Sequence, residues 1–260
     1  MPTRSEPWPE GTPTWIDLGS EDLEGAKAFY SGLFGWDYVS GGQEAGGYLL
    51  AVLDGKAVAG IGPKQDQQMP TVWTSYFGSD DVDATAEKVT ESGGHVVAPP
   101  FGVMDSGRMA IASDSAGAVF GIWQAGSHIG AERFNEHGAL CWTELHTPEY
   151  NSAREFYPKV FGGEVSDISE ESFVYSTFRR ASDGEEVAGM LQDDRLPEAG
   201  PAYWLAWFAS NDVDASIATA LALGGSVLLE PSDSPFGRMA IARGPQGETF
   251  GLIAAPPESH

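Results

Sequence analysis

Three things are scarce in this 260-residue sequence, and each scarcity excludes something. Cysteine occurs once, at Cys141, so no intrachain disulfide can form. Basic residues are few: 14 Lys and Arg stand against 38 Asp and Glu, a formal charge of −24. Such a chain repels a phosphate backbone and an anionic membrane surface, so neither nucleic acid nor membrane is an expected partner. Long apolar runs are missing too, since none approaches the ~20 residues of a membrane span. Met1 to Glu10 has no apolar core or basic lead-in, unlike a signal peptide. These readings predict a cytoplasmic protein. Histidine is also thin: His95, His128, His137, His146 and His260 form no HxH or HExxH pairing. What is plentiful is glycine (33) and, after it, proline (17), with 42% hydrophobic residues, which suits many short strands, tight turns and a sizeable core.

The chain is also written twice. TWIDLGSEDLEGAKAFYSGLFGW from Thr14 aligns without a gap on CWTELHTPEYNSAREFYPKVFGG from Cys141. Further on, WTSYFGSDDVDA from Trp73 matches WLAWFASNDVDA from Trp204. GRMAIA occurs identically at Gly107 and Gly237, and GAVFGIW at Gly117 matches GETFGLI at Gly247. A collinear match of this extent indicates duplication. The expected organisation is a tail over residues 1–11, one domain over 12–124 and a polar linker over 125–138. A second domain follows over 139–254, then a tail over 255–260.

Within the first copy, Trp15–Gly19 alternates like a strand. Ser20 before Glu21 and Asp22 signals a helix start, apolar residues follow at helical spacing through Phe34, and Gly35 stops the helix. Three strands are expected around Trp36–Ser40, Tyr48–Leu53 and Lys56–Gly62. The order then repeats: a strand over Thr71–Gly78, and a helix over Val82–Ser92 capped by Asp80 or Asp81. Strands follow near His95–Val97, Arg108–Ser113 and Val119–Gln124. Each copy therefore holds two βαβββ modules. Phe29-Tyr30 and Phe156-Tyr157 sit at helix spacing and read as core.

These motifs carry a resemblance. The opening strand with DLEGAKAFYSGLFGW, the DVDA segment and the closing DSAGAVFGIW resemble the vicinal oxygen chelate superfamily. That superfamily includes glyoxalase I, bleomycin-resistance proteins and extradiol dioxygenases. The whole pattern is most similar to tandem glyoxalase-like proteins of actinobacteria. The resemblance implies an α+β fold of two tandem glyoxalase-like domains, in which each pair of βαβββ modules forms a half-open barrel with the ligand on its concave face. It also implies where metal-using relatives place their ligands: here at Trp15, Thr74 and Gly121, and in the second copy at Trp142, Leu205 and Gly251. Indole nitrogen only donates and glycine offers no side chain. No metal site and no cofactor are therefore expected.

Strand alternation then selects the cavity residues. Trp15 shares a face with Asp17, and Trp142 with Glu144 and His146. Thr74 faces with Tyr76, Leu205 with Trp207, and Gly121 with Trp123. Trp15, Tyr76, Trp123, Trp142 and Trp207 are candidate ligand-stacking rings. Arg108 and Arg238 are either anchors for an anionic group or surface ion pairs. Asp17, Glu144 and His146 are the candidate acid–base residues. Cys141, beside Trp142, is expected to face away from the cavity. Three functions compete. One is metal-independent binding of a hydrophobic, aromatic small metabolite, for sequestration, resistance or an accessory role in secondary metabolism. The second is a lyase, isomerase, epimerase or hydroxylase-like enzyme using Asp17 or Glu144 as acid or base. The third is an interaction or signalling protein without a live pocket. Whether the chain forms a homodimer is left open by the sequence.

Overall fold

In the computed structural model, residues 3–42, 45–64, 66, 68–171, 173–196 and 201–254 are described. The first copy runs β1 (Pro13–Ser20), α1 (Leu23–Phe34), β2 (Asp37–Ser40), β3 (Leu49–Leu53), β4 (Lys56–Pro63), β5 (Trp73–Gly78), α2 (Val82–Glu91), β6 (His95–Val103), β7 (Gly107–Ser113) and β8 (Val119–Ala125). The second runs β9 (Leu140–Thr147), α3 (Tyr150–Phe161), β10 (Glu164–Asp167), β11 (Tyr175–Arg179), β12 (Glu186–Gln192), β13 (Tyr203–Ala209), α4 (Val213–Ala222), β14 (Ser226–Ser234), β15 (Gly237–Arg243) and β16 (Thr249–Ala254). The element order is βαβββ four times, as the sequence predicts.

Each copy forms one eight-stranded sheet. The orders are β2-β3-β4-β1-β5-β8-β7-β6 and β10-β11-β12-β9-β13-β16-β15-β14. Each module closes on a parallel pair, β1 with β4 and β5 with β8, and the two modules join through the antiparallel pair β1–β5. The outer strands of a sheet do not pair with each other, so each copy stays a half-open barrel.

Local chemistry sets the ends of the elements. Asp22, rather than Ser20, caps α1: its carboxylate accepts from Gly25 N at 3.0 Å, while Ser20 Oγ accepts from Asp22 N. Gly35 takes the left-handed conformation (φ 74°) that ends the helix. Asp81 caps α2, accepting from Asp83 N and Ala84 N. β6 runs six residues beyond the expected stop at Val97, through Pro99 and Pro100. An edge strand tolerates prolines because one side of its ladder faces no neighbour.

The packing is less expected: neither copy keeps its main core to itself. The largest cluster joins Phe29, Tyr30 and Phe34 of α1 to Phe208, Ile217 and Phe250 of the second copy. A second cluster joins Phe77, Val82 and Phe120 of the first copy to Phe156, Tyr157 and Phe161 of α3. Module one thus packs on module four, and module two on module three. A buried polar relay crosses each junction. Trp73 Nε1 donates to Tyr30 Oη at 3.0 Å, and Tyr30 donates to Glu248 at 3.0 Å. Symmetrically, Trp204 Nε1 donates to Tyr157 Oη at 3.0 Å, and Tyr157 donates to Asp114 at 2.9 Å. The Phe-Tyr pairs read as core are indeed buried, and their tyrosines also carry these cross-copy bonds. Among the described residues, no helix is long and apolar enough to cross a membrane.

Candidate functional site

With the convex faces used for the shared cores, the concave faces carry smaller clusters. Register across the strands sets Trp15 opposite Tyr76 and Asp17 opposite Thr74, with Tyr76 opposite Gly121. In the second copy Trp142 lies opposite Trp207, Glu144 opposite Leu205, His146 opposite Tyr203, and Trp207 opposite Gly251. Directly opposed residues share a face, so the residues chosen by alternation do meet.

A unit that sequence reasoning missed recurs in both copies. Trp15 Nε1 donates to Tyr48 Oη at 2.9 Å, and Tyr48 donates to Asp17 Oδ2 at 3.2 Å. Trp142 Nε1 donates to Tyr175 Oη at 3.1 Å, and Tyr175 donates to Glu144 Oε2 at 2.8 Å. The tyrosines reach over Gly60 and Gly189, where an added Cβ would fall 1.8 Å from the hydroxyl in each case. A signal was available: the offset of 127 that relates Trp15 to Trp142 also relates Tyr48 to Tyr175.

The copies differ around this unit. In copy one, Tyr76 also donates to Asp17 Oδ2, at 3.1 Å, and Trp15 is 4% exposed. Burial pushes the Asp17 carboxyl up to about 6, against the opposing pull of the Tyr76 and Tyr48 hydrogen bonds. The cavity is stoppered from outside by the segment after β8. His128 packs edge-on to Trp15, with centroids 4.4 Å apart, and Ala131 joins the same cluster. Trp8 of the N-terminal tail donates to Ala131 O and packs on Phe134. The stretch read as a plain polar linker is therefore a strap.

Copy two replaces Gly19 with His146. Its Nδ1 lies 2.9 Å from Asp193 Oδ2, and its Nε2 lies 2.9 Å from Glu144 Oε1, though off the alignment of a hydrogen bond. Arg195 donates twice to Asp193, at 2.8 Å each, and holds that carboxyl well below the usual carboxylate range. Burial works against a charged imidazole, but Glu144 and Asp193 together outweigh it and raise the His146 pKa. The Tyr203 ring stacks on His146 at 4.9 Å. The result is a chain of groups, Tyr175–Glu144–His146–Asp193–Arg195, beside the cluster of Trp142, Tyr203 and Trp207. Trp142 is only half-buried, and the Glu144 side chain keeps 12% exposure.

Two expectations need correction. Arg108 and Arg238 do not line the cavities. Each lies next to a cavity residue, Met109 or Met239, and strand alternation turns it to the other face. There Arg108 pairs with Asp83, at 2.9 Å, and Arg238 with Asp214, both in the first turn of a helix. Cys141 does not face away from the cavity cluster. It sits at a bulge, between the pairs Phe208–Leu140 and Trp207–Trp142, and packs with Trp142, Leu205 and Trp207. The bulge breaks the alternation on which the expectation rested. Burial raises its thiol to about 12, so it is no nucleophile at neutral pH.

The residues present do not fit the divalent ion of metal-using relatives. Register places Tyr76, and not the expected Thr74, beside Trp15 and Gly121, and Trp207, and not Leu205, beside Trp142 and Gly251; Thr74 lies opposite Asp17 and Leu205 opposite Glu144. The glycines serve another purpose: a Cβ at Gly121 would fall 2.0 Å from the Tyr76 ring, and one at Gly251 would fall 2.2 Å from the Trp207 ring. Each ring occupies the space beside the strand where a ligating side chain would stand. Among the described residues, no group of three or more His, Cys, Asp or Glu is arranged to hold a metal ion.

Comparison with known proteins agrees with this architecture. The chain is 40% identical over 264 residues to the CFP32 protein of Mycobacterium tuberculosis, covering 99% of this chain and 100% of that one. It is 37% identical over 258 residues to the anthracycline biosynthesis protein DnrV of Streptomyces peucetius, covering 94% and 93%. Among solved structures, the Mn(II)-bound glyoxalase of Novosphingobium aromaticivorans aligns with a TM-score of 0.65 at 18% identity, covering 94% and 83%. The 2,2',3-trihydroxybiphenyl 1,2-dioxygenase of Sphingomonas wittichii aligns with a TM-score of 0.65 at 14% identity, covering 95% and 91%. At those identities the likeness speaks for fold alone. Residues 12–122 and 139–252 each match one family, and the chain belongs to the Glyoxalase/Bleomycin resistance protein/Dioxygenase superfamily.

Proposed function

We propose that the chain binds a flat, hydrophobic, ring-containing small metabolite on the concave face of its second copy, without a divalent metal. The observation that carries this reading is the contrast between the copies. In copy one, Trp15, Asp17, Tyr48 and Tyr76 bond one another, and Trp15 and Tyr76 are buried in one cluster with Ala131 of the strap. In copy two, Trp142 is half-buried where its counterpart Trp15 is 4% exposed. One deeply buried nitrogen there, Trp207 Nε1, lacks a hydrogen-bond partner among the described residues. Buried polar groups left unpaired are costly, so a ligand that supplies partners gains affinity there. Trp142 and Trp207 provide the stacking surface, and Glu144 is the polar anchor that orients a hydroxyl or amine. A relative named for anthracycline biosynthesis supports a planar aromatic ligand and an accessory role in secondary metabolism.

Tryptophan quenching by a planar hydroxyquinone such as alizarin tests the reading. Trp142→Ala should weaken binding by roughly 2- to 10-fold, the worth of one stacked ring. Trp15→Ala should leave affinity unchanged, and EDTA should have no effect. Equal loss in both variants, or none in either, would refute the assignment to copy two. A second reading rests on the Glu144–His146–Asp193 chain, which suits proton transfer because Asp193 fixes the imidazole and Glu144 faces the cavity. It predicts turnover of a bound ligand that Glu144→Gln abolishes while binding persists.

A further inference from the structure

We propose that the concave face of copy one is a slot for a flat, uncharged nitrogen heteroaromatic ring, and that the chain's own His128 is its resident occupant. The inference does not depend on what copy two binds. The His128 ring meets Trp15 at 4.4 Å and 85° and Trp123 at 5.5 Å and 67°, so both indoles receive it edge to face. Such geometry is favourable for aromatic pairs. Nε2 is buried and has no hydrogen-bond partner among the described residues. The imidazole is thus held by shape and ring contacts, as a ligand would be. Burial keeps it neutral, with its pKa lowered to about 4.

The strap is anchored without help from that ring. Gly126 N and His128 N both donate to Ser106 O, and Ser127 N donates to Asp105 O, all within 3.0 Å. Beyond the ring, Ala131 N donates to Thr14 O at 2.7 Å and Glu132 N to Ala57 O at 2.8 Å. Thr14 Oγ1 donates to Ile129 O at 3.1 Å, and Trp123 Nε1 donates to His128 O at 3.0 Å. Every one of these bonds ends on strap backbone, so removing the imidazole leaves the frame standing around a ring-sized hole. A tethered group competes at an effective concentration on the order of millimolar. Copy one is therefore closed to free ligands weaker than that.

The test is chemical rescue of His128→Gly with imidazole at pH 8. Imidazole should raise the Tm of this variant saturably and perturb its tryptophan emission. It should do neither to the wild-type chain, and Trp15→Ala in the same background should abolish the response. A folded His128→Gly chain with no saturable imidazole response overturns the proposal. If that variant does not fold, the wild-type His128 ring proton observed by NMR decides. It should keep its neutral shift from pH 8 down to 5, displaced by the indole ring currents. A titration near pH 6.5 would place the imidazole in solvent and overturn the occupancy.

Discussion

Asp17→Asn isolates the electrostatics of the first cavity. Both tyrosine hydroxyls donate to a single oxygen, Oδ2, so an asparagine carbonyl can keep both bonds. What it removes is the ionisation. The folded pKa of Asp17 is raised from 3.8 to about 6. Below pH ~4 the carboxyl is protonated in both folded and unfolded chains and costs nothing. As pH rises through this window the unfolded chain releases its proton first, so the folded state is penalised, with the full penalty reached above pH ~6. A shift of about 2 units corresponds to about 3 kcal/mol, and partial solvent access to the carboxylate reduces this to about 1–3 kcal/mol. Urea denaturation at pH 4 and pH 8 provides the assay. Relative to wild type, Asp17→Asn should gain about 1–3 kcal/mol between the two pH values. Shifts at Asp114 and Glu248 are common to both chains and cancel in that difference. A variant whose stability relative to wild type is the same at both pH values would refute the reasoning.

Two further outcomes follow from the packing between copies. Tyr157→Phe removes the hydroxyl shared by Trp204 Nε1 and Asp114, leaving a buried donor and a buried acceptor unpaired. It should cost about 2–4 kcal/mol, read from the urea midpoint, and Tyr30→Phe should cost a similar amount at Glu248. Residues 1–138 produced alone should not give a folded monomer, because each main core takes its other half from the second copy. Size-exclusion and near-UV circular dichroism check this, and a cooperative, tightly packed monomer would contradict the shared-core description.

The secondary structure was legible because its causes are local. Alternation marks β1, and helical spacing marks α1 from Leu23 to Phe34. That Trp15 shares a face with Asp17, and Thr74 with Tyr76, followed from period two; that the two pairs line one cluster rested on the family resemblance. Errors came where local rules are interrupted. The bulge at Cys141 turned its side chain against expectation, and the prolines of β6 hid the continuation of an edge strand beyond Val97. Long-range closure was legible only as recurrence, Tyr48 and Tyr175 standing at the same offset as Trp15 and Trp142. Nothing around Tyr48 announces that its hydroxyl will reach Trp15 and Asp17, because that contact spans 31–33 residues and needs Gly60 to make room. His128 likewise sits in a segment with no periodicity, and its burial comes only from where the strap returns over the sheet. Cross-copy pairing of modules was hidden for a further reason: both copies present the same apolar helix faces, so pattern alone cannot say which helix meets which.

The shared packing leaves the two smaller clusters free to differ. The large cores and their buried relays lie on the convex sides, where they bind copy to copy. The concave clusters are small satellites, so exchanges there are tolerated provided neighbours change together. Positions equivalent by register show such a joint exchange. After β4, Lys64 N donates to Ser20 O at 3.0 Å; after β12, Asp193 N donates to Thr147 O at 3.0 Å. In copy one this position holds a lysine whose stem covers Gly19, 3.6 Å from where a Cβ there would lie. In copy two it holds the aspartate that bonds His146, the counterpart of Gly19. A histidine at position 19 would meet the Lys64 stem and lack the carboxylate that Asp193 supplies in copy two. A glycine at 146 would leave Asp193 paired only with the exposed Arg195. Gly19 with Lys64, and His146 with Asp193, are each self-consistent, and either mixed pair is not. His146 with Asp193 in copy two and Gly19 with Lys64 in copy one are therefore each matched sets on a backbone common to both copies.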